Sequence, residues 1–93
     1  MSEQVAVHLT IAGKVQGVFF RVETQKTAGR FGVVGWVRNR ADGTVESLAE
    51  GFKEDVDAFV AWCREGAPIS HVDRVDLEWK TYTGKFGRFD ITY

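Results

Sequence analysis

The chain has 93 residues, of which 44% are apolar, and it carries a formal net charge of −1 at pH 7. This length and apolar content predict one domain over residues 1–93, built on a single core. The near-neutral charge excludes the broad basic surface that binds nucleic acid or an anionic membrane, because such surfaces bind phosphate mainly through Lys and Arg.

The first half of the chain alternates strand and helix patterns. Apolar residues at every second position predict a half-buried strand over residues 5–12. A glycine-containing loop follows at residues 13–20, and residues 22–31 are predicted to form a helix that ends at Gly32. Two further strands are predicted at residues 33–40 and 44–51. The Asp42-Gly43 pair between them is typical of a tight hairpin turn.

The second half contains the clearest helical signal. Val56, Phe59, Val60 and Cys63 follow the i, i+3, i+4, i+7 spacing of one helix face, and Gly66 is placed to end the helix. This pattern predicts a helix over residues 53–65. Alternating apolar residues then predict strands over residues 72–81 and 88–93.

The order of elements predicts the fold class. A β-α-β-β-α-β order with right-handed crossovers gives an α+β, ferredoxin-like sandwich, with both helices on one face of an antiparallel sheet of four to five strands. No leader and no run of about 18 apolar residues is visible, so a cytoplasmic location is expected. Cys63 has no partner for an internal disulfide, and one cysteine with two histidines is too few for a structural zinc site.

The segment "GKVQGVFFR", residues 13–21, carries the first functional signal. A loop between a strand and a helix start presents successive backbone N–H groups, which favours anion binding. Gly13 and Gly17 allow the backbone to curl, and Arg21 is placed to bind a phosphoryl group in bidentate fashion. The alternative is a plain strand-to-helix connection with an exposed arginine.

This segment, together with "GWVRNRADGTVESLAEG" at residues 35–51, resembles the two signature segments of the acylphosphatases, which hydrolyse carboxyl-phosphate anhydrides. The similarity extends through "FVAWCREG" at residues 59–66 to the closing "FDITY". One departure is Ala67, which lies between Gly66 and Pro68 where many members run Gly-Pro directly. It affects a loop away from both segments.

The resemblance implies a fold and a site. It implies the ferredoxin-like sandwich, with Arg21 binding the phosphoryl group and Asn39 positioning the attacking water. No metal and no cofactor is implied, and the expected partner is a small acyl phosphate bound by a monomer, without nucleic acid or membrane. The phosphate-binding residues that it implies are Val15, Gln16, Gly17, Val18, Phe19, Phe20 and Arg21.

The chemistry of an acyl phosphate fits so sparse a site. The leaving group is a carboxylate whose conjugate acid has a pKa of about 4, so no general acid is needed. Phosphoryl transfer requires positioning and charge neutralisation, which an arginine and backbone N–H groups supply. A neutral amide at Asn39 is no base near pH 7, but it can hold a water in line with phosphorus. A substrate phosphate oxygen is then the expected proton acceptor.

The remaining cysteine, histidine and basic side chains have structural explanations as well as functional ones. Cys63 lies on the apolar stripe of the second helix, which favours burial over nucleophilic catalysis. His8 and His71 have no carboxylate or cysteine near them in the sequence, which favours a strand-face or surface role. Lys14, Arg38 and Arg40 flank the site and either raise its positive potential or are solvated surface charges.

Two functions from other classes are also compatible with the element order. One is an RNA-recognition module, which the acidic balance and an incomplete aromatic strand motif at residues 29–34 argue against. The other is a module that binds phosphate or carbamoyl phosphate without turning it over.

Overall fold

A computed structural model of the protein describes residues 3–93 and has the predicted order of elements, with the additional closing strand. No helix among these residues is long and apolar enough to cross a bilayer. In chain order, the elements are β1 (Gln4–Lys14), α1 (Phe20–Phe31), β2 (Val34–Asn39), β3 (Val45–Phe52), α2 (Lys53–Glu65), β4 (His71–Lys80) and β5 (Phe89–Ile91).

The two helices differ in how closely they follow the sequence pattern. α2 occupies the predicted range, and Gly66 ends it with an N–H that donates to the Trp62 carbonyl at 2.7 Å. α1 begins at Phe20, two residues before its predicted start. Phe19 has a left-handed backbone, with φ 61° and ψ 20°, and turns the chain directly into the helix. Arg21 therefore lies in the first turn of α1.

The sheet has five strands in the order β4-β1-β3-β2-β5. Three of its four strand pairs are antiparallel, as predicted, whereas β5 pairs with β2 in parallel, with Gly35 opposite Phe89. β4 runs along one edge, and the chain then crosses the whole sheet before it forms β5 at the other edge. β5 consequently starts from the end of the sheet at which β4 stops, and it runs in the direction of β2.

The core lies between the helices and one face of the sheet. Val7, Leu9 and Ile11 project from β1 into the same cluster as Val56 and Phe59 of α2, and all five are fully buried. Since alternate residues of β1 point to opposite faces, this cluster places both helices on one side, as predicted.

Two buried residues connect the core to the start of α1. Cys63 of α2 is fully buried, as predicted, and burial raises the pKa of its thiol, so it stays protonated. Phe20 is also buried, and its ring packs on that of Trp62 with 5.6 Å between the centroids. The first turn of α1 is thereby fixed against α2.

The opposite face of the sheet holds a buried carboxylate, Glu50. Glu50 lies opposite Ala6 in the β1–β3 register and is 0% exposed. It accepts hydrogen bonds from the hydroxyl of Thr83 at 2.8 Å, from the backbone N–H of Thr83 and from that of Gly84 at 3.1 Å. Glu50 thus fixes the connection between β4 and β5 where that connection crosses the sheet.

Candidate active site

The loop between β1 and α1 is a curled segment supported from below by apolar side chains. Val15 and Val18 are buried, whereas Gly17 and Phe19 both have positive φ values, of 73° and 61°. Within residues 3–93, Phe19 is the one residue other than glycine in this region. Such a backbone costs of order 1–3 kcal/mol and is found where the surrounding structure imposes it, commonly at functional sites.

The same loop has unused backbone donors. Among the residues that the structure describes, no protein acceptor takes a hydrogen bond from the backbone N–H groups of residues 16–19. The first N–H groups of α1 also lack partners within their own helix, as at any helix start. Backbones of this kind form concavities that bind anions, so the loop offers an anion its N–H groups and the positive end of α1.

Gln16 connects this loop to the turn between β2 and β3. Its side-chain Nε2 donates to the carbonyl oxygens of Arg40 at 2.8 Å and Thr44 at 2.9 Å. Our prediction for Gln16 concerned only its backbone N–H, so the side-chain link is new. The signal was present in the sequence, because a side-chain amide is unusual in an otherwise apolar and glycine-rich loop.

The β2–β3 turn, to which Gln16 donates, is held by hydrogen bonds of its own. The Arg40 N–H donates to the Thr44 carbonyl at 2.8 Å. The carboxylate of Asp42 accepts from the hydroxyl of Thr44 at 2.6 Å and from its N–H at 3.0 Å. These two hydrogen bonds, aided by the charge of Arg40, hold the pKa of Asp42 below its usual value. The turn therefore keeps the end of β2 in a fixed position.

Arg21 and Asn39 approach the loop from different elements. Arg21 is half-buried in the first turn of α1, and its Cζ lies 5.1 Å from the centroid of the Tyr93 ring. Asn39 is the last residue of β2. Its Oδ1 is buried, and no protein group donates to it. Sequence reasoning missed Tyr93, because nothing in a strand pattern connects that residue to Arg21.

One pocket of about 240 Å³ brings these groups together. Arg21 and Asn39 both line it, with Gly17 of the loop, so the two residues singled out in separate sequence segments meet in space. Gln16 and Val18 do not line it, since Gln16 turns towards the β2–β3 turn and Val18 is buried. The lining residues are Val15, Gly17, Phe19, Phe20, Arg21, Val22 and Asn39.

A second cavity of about 340 Å³ adjoins the first and shares Asn39 with it. Arg38 and Arg40 line it, together with Ala41, Glu46 and Tyr93. Arg38 stacks over the Trp36 ring at 5.0 Å and is paired with Glu46. Among the described residues, no ion pair involves Arg40.

His8 has a carboxylate partner, Glu46, which the sequence analysis did not predict. His8 lies on the open sheet face, and its Nε2 is 2.6 Å from Glu46, to which Arg38 Nε donates at 2.7 Å. Burial acts to raise the pKa of Glu46, but these two hydrogen bonds outweigh it, and the pKa is lowered. Strand pairing brings Glu46 to His8, which proximity in the sequence does not reveal. His71 is exposed, as predicted. The expectation that no carboxylate lies near it in the sequence was wrong, because Asp73, two residues further along β4, lies 3.0 Å from its Nε2.

This chain is similar to known proteins over nearly its whole length. A family model described as Acylphosphatase matches residues 7–91. A curated acylphosphatase from Pelotomaculum thermopropionicum is 50% identical over 86 residues, which cover 92% of this chain and 94% of that protein. Another, from Geobacter sulfurreducens, is 52% identical over 85 residues, which cover 91% of this chain and 93% of that protein.

Solved structures give the same answer for the fold. The crystal structure of an acylphosphatase from Bacillus subtilis superposes with a TM-score of 0.92 at 36% sequence identity, and the match covers 96% of this chain and 99% of that one. An acylphosphatase from Coxiella burnetii gives a TM-score of 0.91 at 34% identity, with 96% and 93% covered. The family match, the extent of the curated relatives and the shared fold together establish that the chain belongs to the acylphosphatase family.

Proposed function

We propose that this protein hydrolyses the carboxyl–phosphate bond of acyl phosphates to a carboxylate and inorganic phosphate, without a metal or cofactor. Family membership and curated relatives of matching length support an acylphosphatase enzyme. The observation that carries the proposal is the single pocket lined by Arg21, Asn39 and the β1–α1 loop.

Arg21 and the loop bind the phosphoryl group in this proposal. The guanidinium offers a planar pair of N–H donors, and its charge is matched to phosphoryl oxygens. No ion pair among the described residues involves Arg21, so it is available for an anion. The unused N–H groups of Gly17 and Phe19, which both line the pocket, add neutral donors that stabilise charge on the equatorial oxygens during transfer.

Asn39 orients the attacking water. The buried Oδ1 has no protein donor, so a water that donates a hydrogen bond to it satisfies the oxygen. The water oxygen forms the new bond to phosphorus, and the bond to the acyl oxygen breaks with its electron pair leaving on the carboxylate. The proton of the water passes to a phosphate oxygen of the substrate, because an amide does not accept it near pH 7.

The alternative, a module that binds phosphate or carbamoyl phosphate without turnover, is not favoured. Relatives of about 50% identity, matched over more than 90% of their own length, carry the name acylphosphatase.

Domain organisation, oligomeric state, location and substrate size are proposed alongside the activity. We propose that residues 1–93 are one domain, since one five-stranded sheet and one buried cluster include all the described elements. We also propose a monomer in the cytoplasm that acts on a small substrate. Light scattering on the purified protein tests the monomer directly.

The activity is tested with purified protein, acetyl phosphate and a chelator. Arg21→Ala is expected to lower kcat/KM by about 10²–10³-fold, the usual effect of losing one preorganised donor to a transition-state oxyanion. Asn39→Ala is expected to lower kcat/KM by about 10²-fold, because the attacking water is no longer held in position. Arg30→Ala is the matched control, because Arg30 is exposed in the last turn of α1. A folded Arg21→Ala or Asn39→Ala variant with wild-type turnover would remove that residue from the mechanism.

A further inference from the structure

The basic side chains predicted to flank the site differ in whether an acid offsets their charge. Arg38 is paired with Glu46, which accepts a hydrogen bond from its Nε at 2.7 Å. Lys14 is exposed at the end of β1 and lines neither cavity. Among the residues that the structure describes, the cations that line a cavity without an ion-pair partner are Arg21 and Arg40.

Arg40 places its charge beside Asn39. It follows Asn39 in the chain, and both residues line the cavity of about 340 Å³ that adjoins the pocket of Arg21. An acid of the same turn, Asp42, lines neither cavity, because its carboxylate is turned to the hydroxyl and N–H of Thr44. Asp42 therefore offsets the charge that Arg40 adds at the site only in part.

A local positive charge is needed because the whole chain carries a formal net charge of −1. A phosphoryl group carries about two negative charges at pH 7, so the net charge of the protein does not attract it. Fixed cations near a cleft raise the local concentration of an anionic ligand and its rate of association. This effect extends over the Debye length, which is about 10 Å at 0.1 M salt and about 30 Å at 0.01 M.

We propose that Arg40 is an electrostatic steering residue, whose charge draws the phosphoryl dianion of the substrate to the pocket formed by Arg21, Asn39 and the β1–α1 loop. This inference rests on the proposed function, which supplies the dianion. Arg21 neutralises charge that develops during the reaction, so its loss lowers kcat. Arg40 acts equally on the bound substrate and the transition state, so its loss raises KM and leaves kcat unchanged.

Coulomb's law gives the size of the effect. For a separation of roughly 10 Å in water, one cation changes the affinity of a dianion by about fourfold without salt, and by about threefold at 0.01 M salt. Reversal of the charge squares this factor to about ninefold. The interaction depends on charge and not on the fork of guanidinium donors, so a lysine at this position should replace the arginine.

The test measures kcat and KM for acetyl phosphate at about 0.01 M and about 0.5 M sodium chloride. At low salt, KM should rise about threefold in Arg40→Gln and about ninefold in Arg40→Glu, whereas Arg40→Lys should match the wild type. At high salt, all four proteins should agree within about 1.5-fold. Asp42→Asn should lower KM at low salt, because it removes an anion and keeps an oxygen that accepts from Thr44.

Arg30→Gln is the matched control. It removes the same charge from an exposed arginine in the last turn of α1, a helix of 12 residues that is about 18 Å long and has Arg21 in its first turn. Its charge is screened over that distance, so KM should change by less than about 1.5-fold even at low salt.

Three results would overturn the steering role. A loss of kcat/KM in Arg40→Gln that is the same at both salt concentrations would show that Arg40 touches the substrate. A loss in Arg40→Lys as large as that in Arg40→Gln would lead to the same conclusion. An unchanged KM in Arg40→Glu at low salt would make Arg40 a solvated surface charge.

A binding measurement separates this inference from the proposed function. Calorimetric titration with inorganic phosphate needs no turnover, and Arg40→Gln should weaken phosphate binding by about threefold at low salt and not at high salt. This result without hydrolysis of acetyl phosphate would refute the enzyme and keep the steering role. Hydrolysis of acetyl phosphate, with phosphate affinity and KM both indifferent to the charge at position 40, would refute the steering role and keep the enzyme.

Discussion

The side chain of Gln16 provides the sharpest test of how the site is assembled. Its two hydrogen bonds, of 2.8 and 2.9 Å, join the phosphate-binding loop to the turn that follows Asn39. Each hydrogen bond contributes about 0.5–1.5 kcal/mol net. Both carbonyls lie near the surface, where water replaces the lost donor, so Gln16→Ala should lower the free energy of unfolding by about 1–2 kcal/mol.

The effect on catalysis should exceed the effect on substrate binding. Without these two hydrogen bonds, the loop and Asn39 spend less time in the relative position that catalysis needs. A loss of about 1–2 kcal/mol lowers the population of that arrangement by a factor of about 5–30. We expect kcat for acetyl phosphate to fall by about tenfold, with a smaller change in KM. Gln16→Glu should be worse than Gln16→Ala, because a carboxylate would face two carbonyl oxygens without a proton to donate.

The assay is steady-state hydrolysis combined with urea unfolding of each variant. Gln4→Ala is the control, since its side chain donates to the Tyr82 hydroxyl at 3.2 Å, far from the pocket. Lower stability with wild-type kcat would reduce the link to a purely structural contact. If Gln16→Glu matched the wild type in both measurements, the reasoning about the two carbonyl acceptors would be wrong.

Three further predictions follow from contacts outside the pocket. Glu50→Gln presents an amide N–H₂ to N–H and hydroxyl donors, and should lower the unfolding free energy by about 1.5–3 kcal/mol in chemical denaturation, without a direct effect on the chemistry. Tyr93→Ala removes the ring that contacts Arg21 and should raise KM severalfold; unchanged kinetics would mean that the contact does not orient the guanidinium. The pKa values of Asp42 and Glu46 are lowered on folding, so the unfolded chain binds more protons near their usual values of 3.8 and 4.5. Stability from both groups should be complete above about pH 5, begin to fall near these values and be lost as the pH falls through the lower pKa values of the folded state, with a smaller fall in a D42N/E46Q double variant.

Local patterns in the sequence were sufficient for most of the fold. The residues from Val56 to Cys63 repeat with a clear helical period, and Gly66 follows them, so α2 was predicted with its observed bounds. The start of α1 was not, because a phenylalanine in a left-handed conformation has no signature in hydrophobic periodicity. The parallel pairing of β5 depends on the path of residues 81–88 across the sheet, which local patterns do not describe.

For the candidate site, the sequence was sufficient to identify two residues but not the contacts around them. Arg21 and Asn39 were identified from their segments, and the fold brings both to one pocket. The contacts that surround them, from Gln16 to the β2–β3 turn and from Tyr93 to Arg21, join residues far apart in the chain. Each depends on where a side chain points after the sheet has formed, and no spacing rule carries that information.

The short closing strand has a consequence for local opening. β5 joins the sheet through three residues beside β2, with the Gly35 N–H bonded to the Arg88 carbonyl at 3.1 Å and the Thr92 N–H to the Val37 carbonyl at 2.8 Å. An edge strand of this length is among the first segments to detach in subglobal fluctuations. Its detachment would carry Tyr93 away from the guanidinium while the remaining four strands stayed intact. The rate of amide hydrogen exchange in β5 would therefore report how often Arg21 loses this contact.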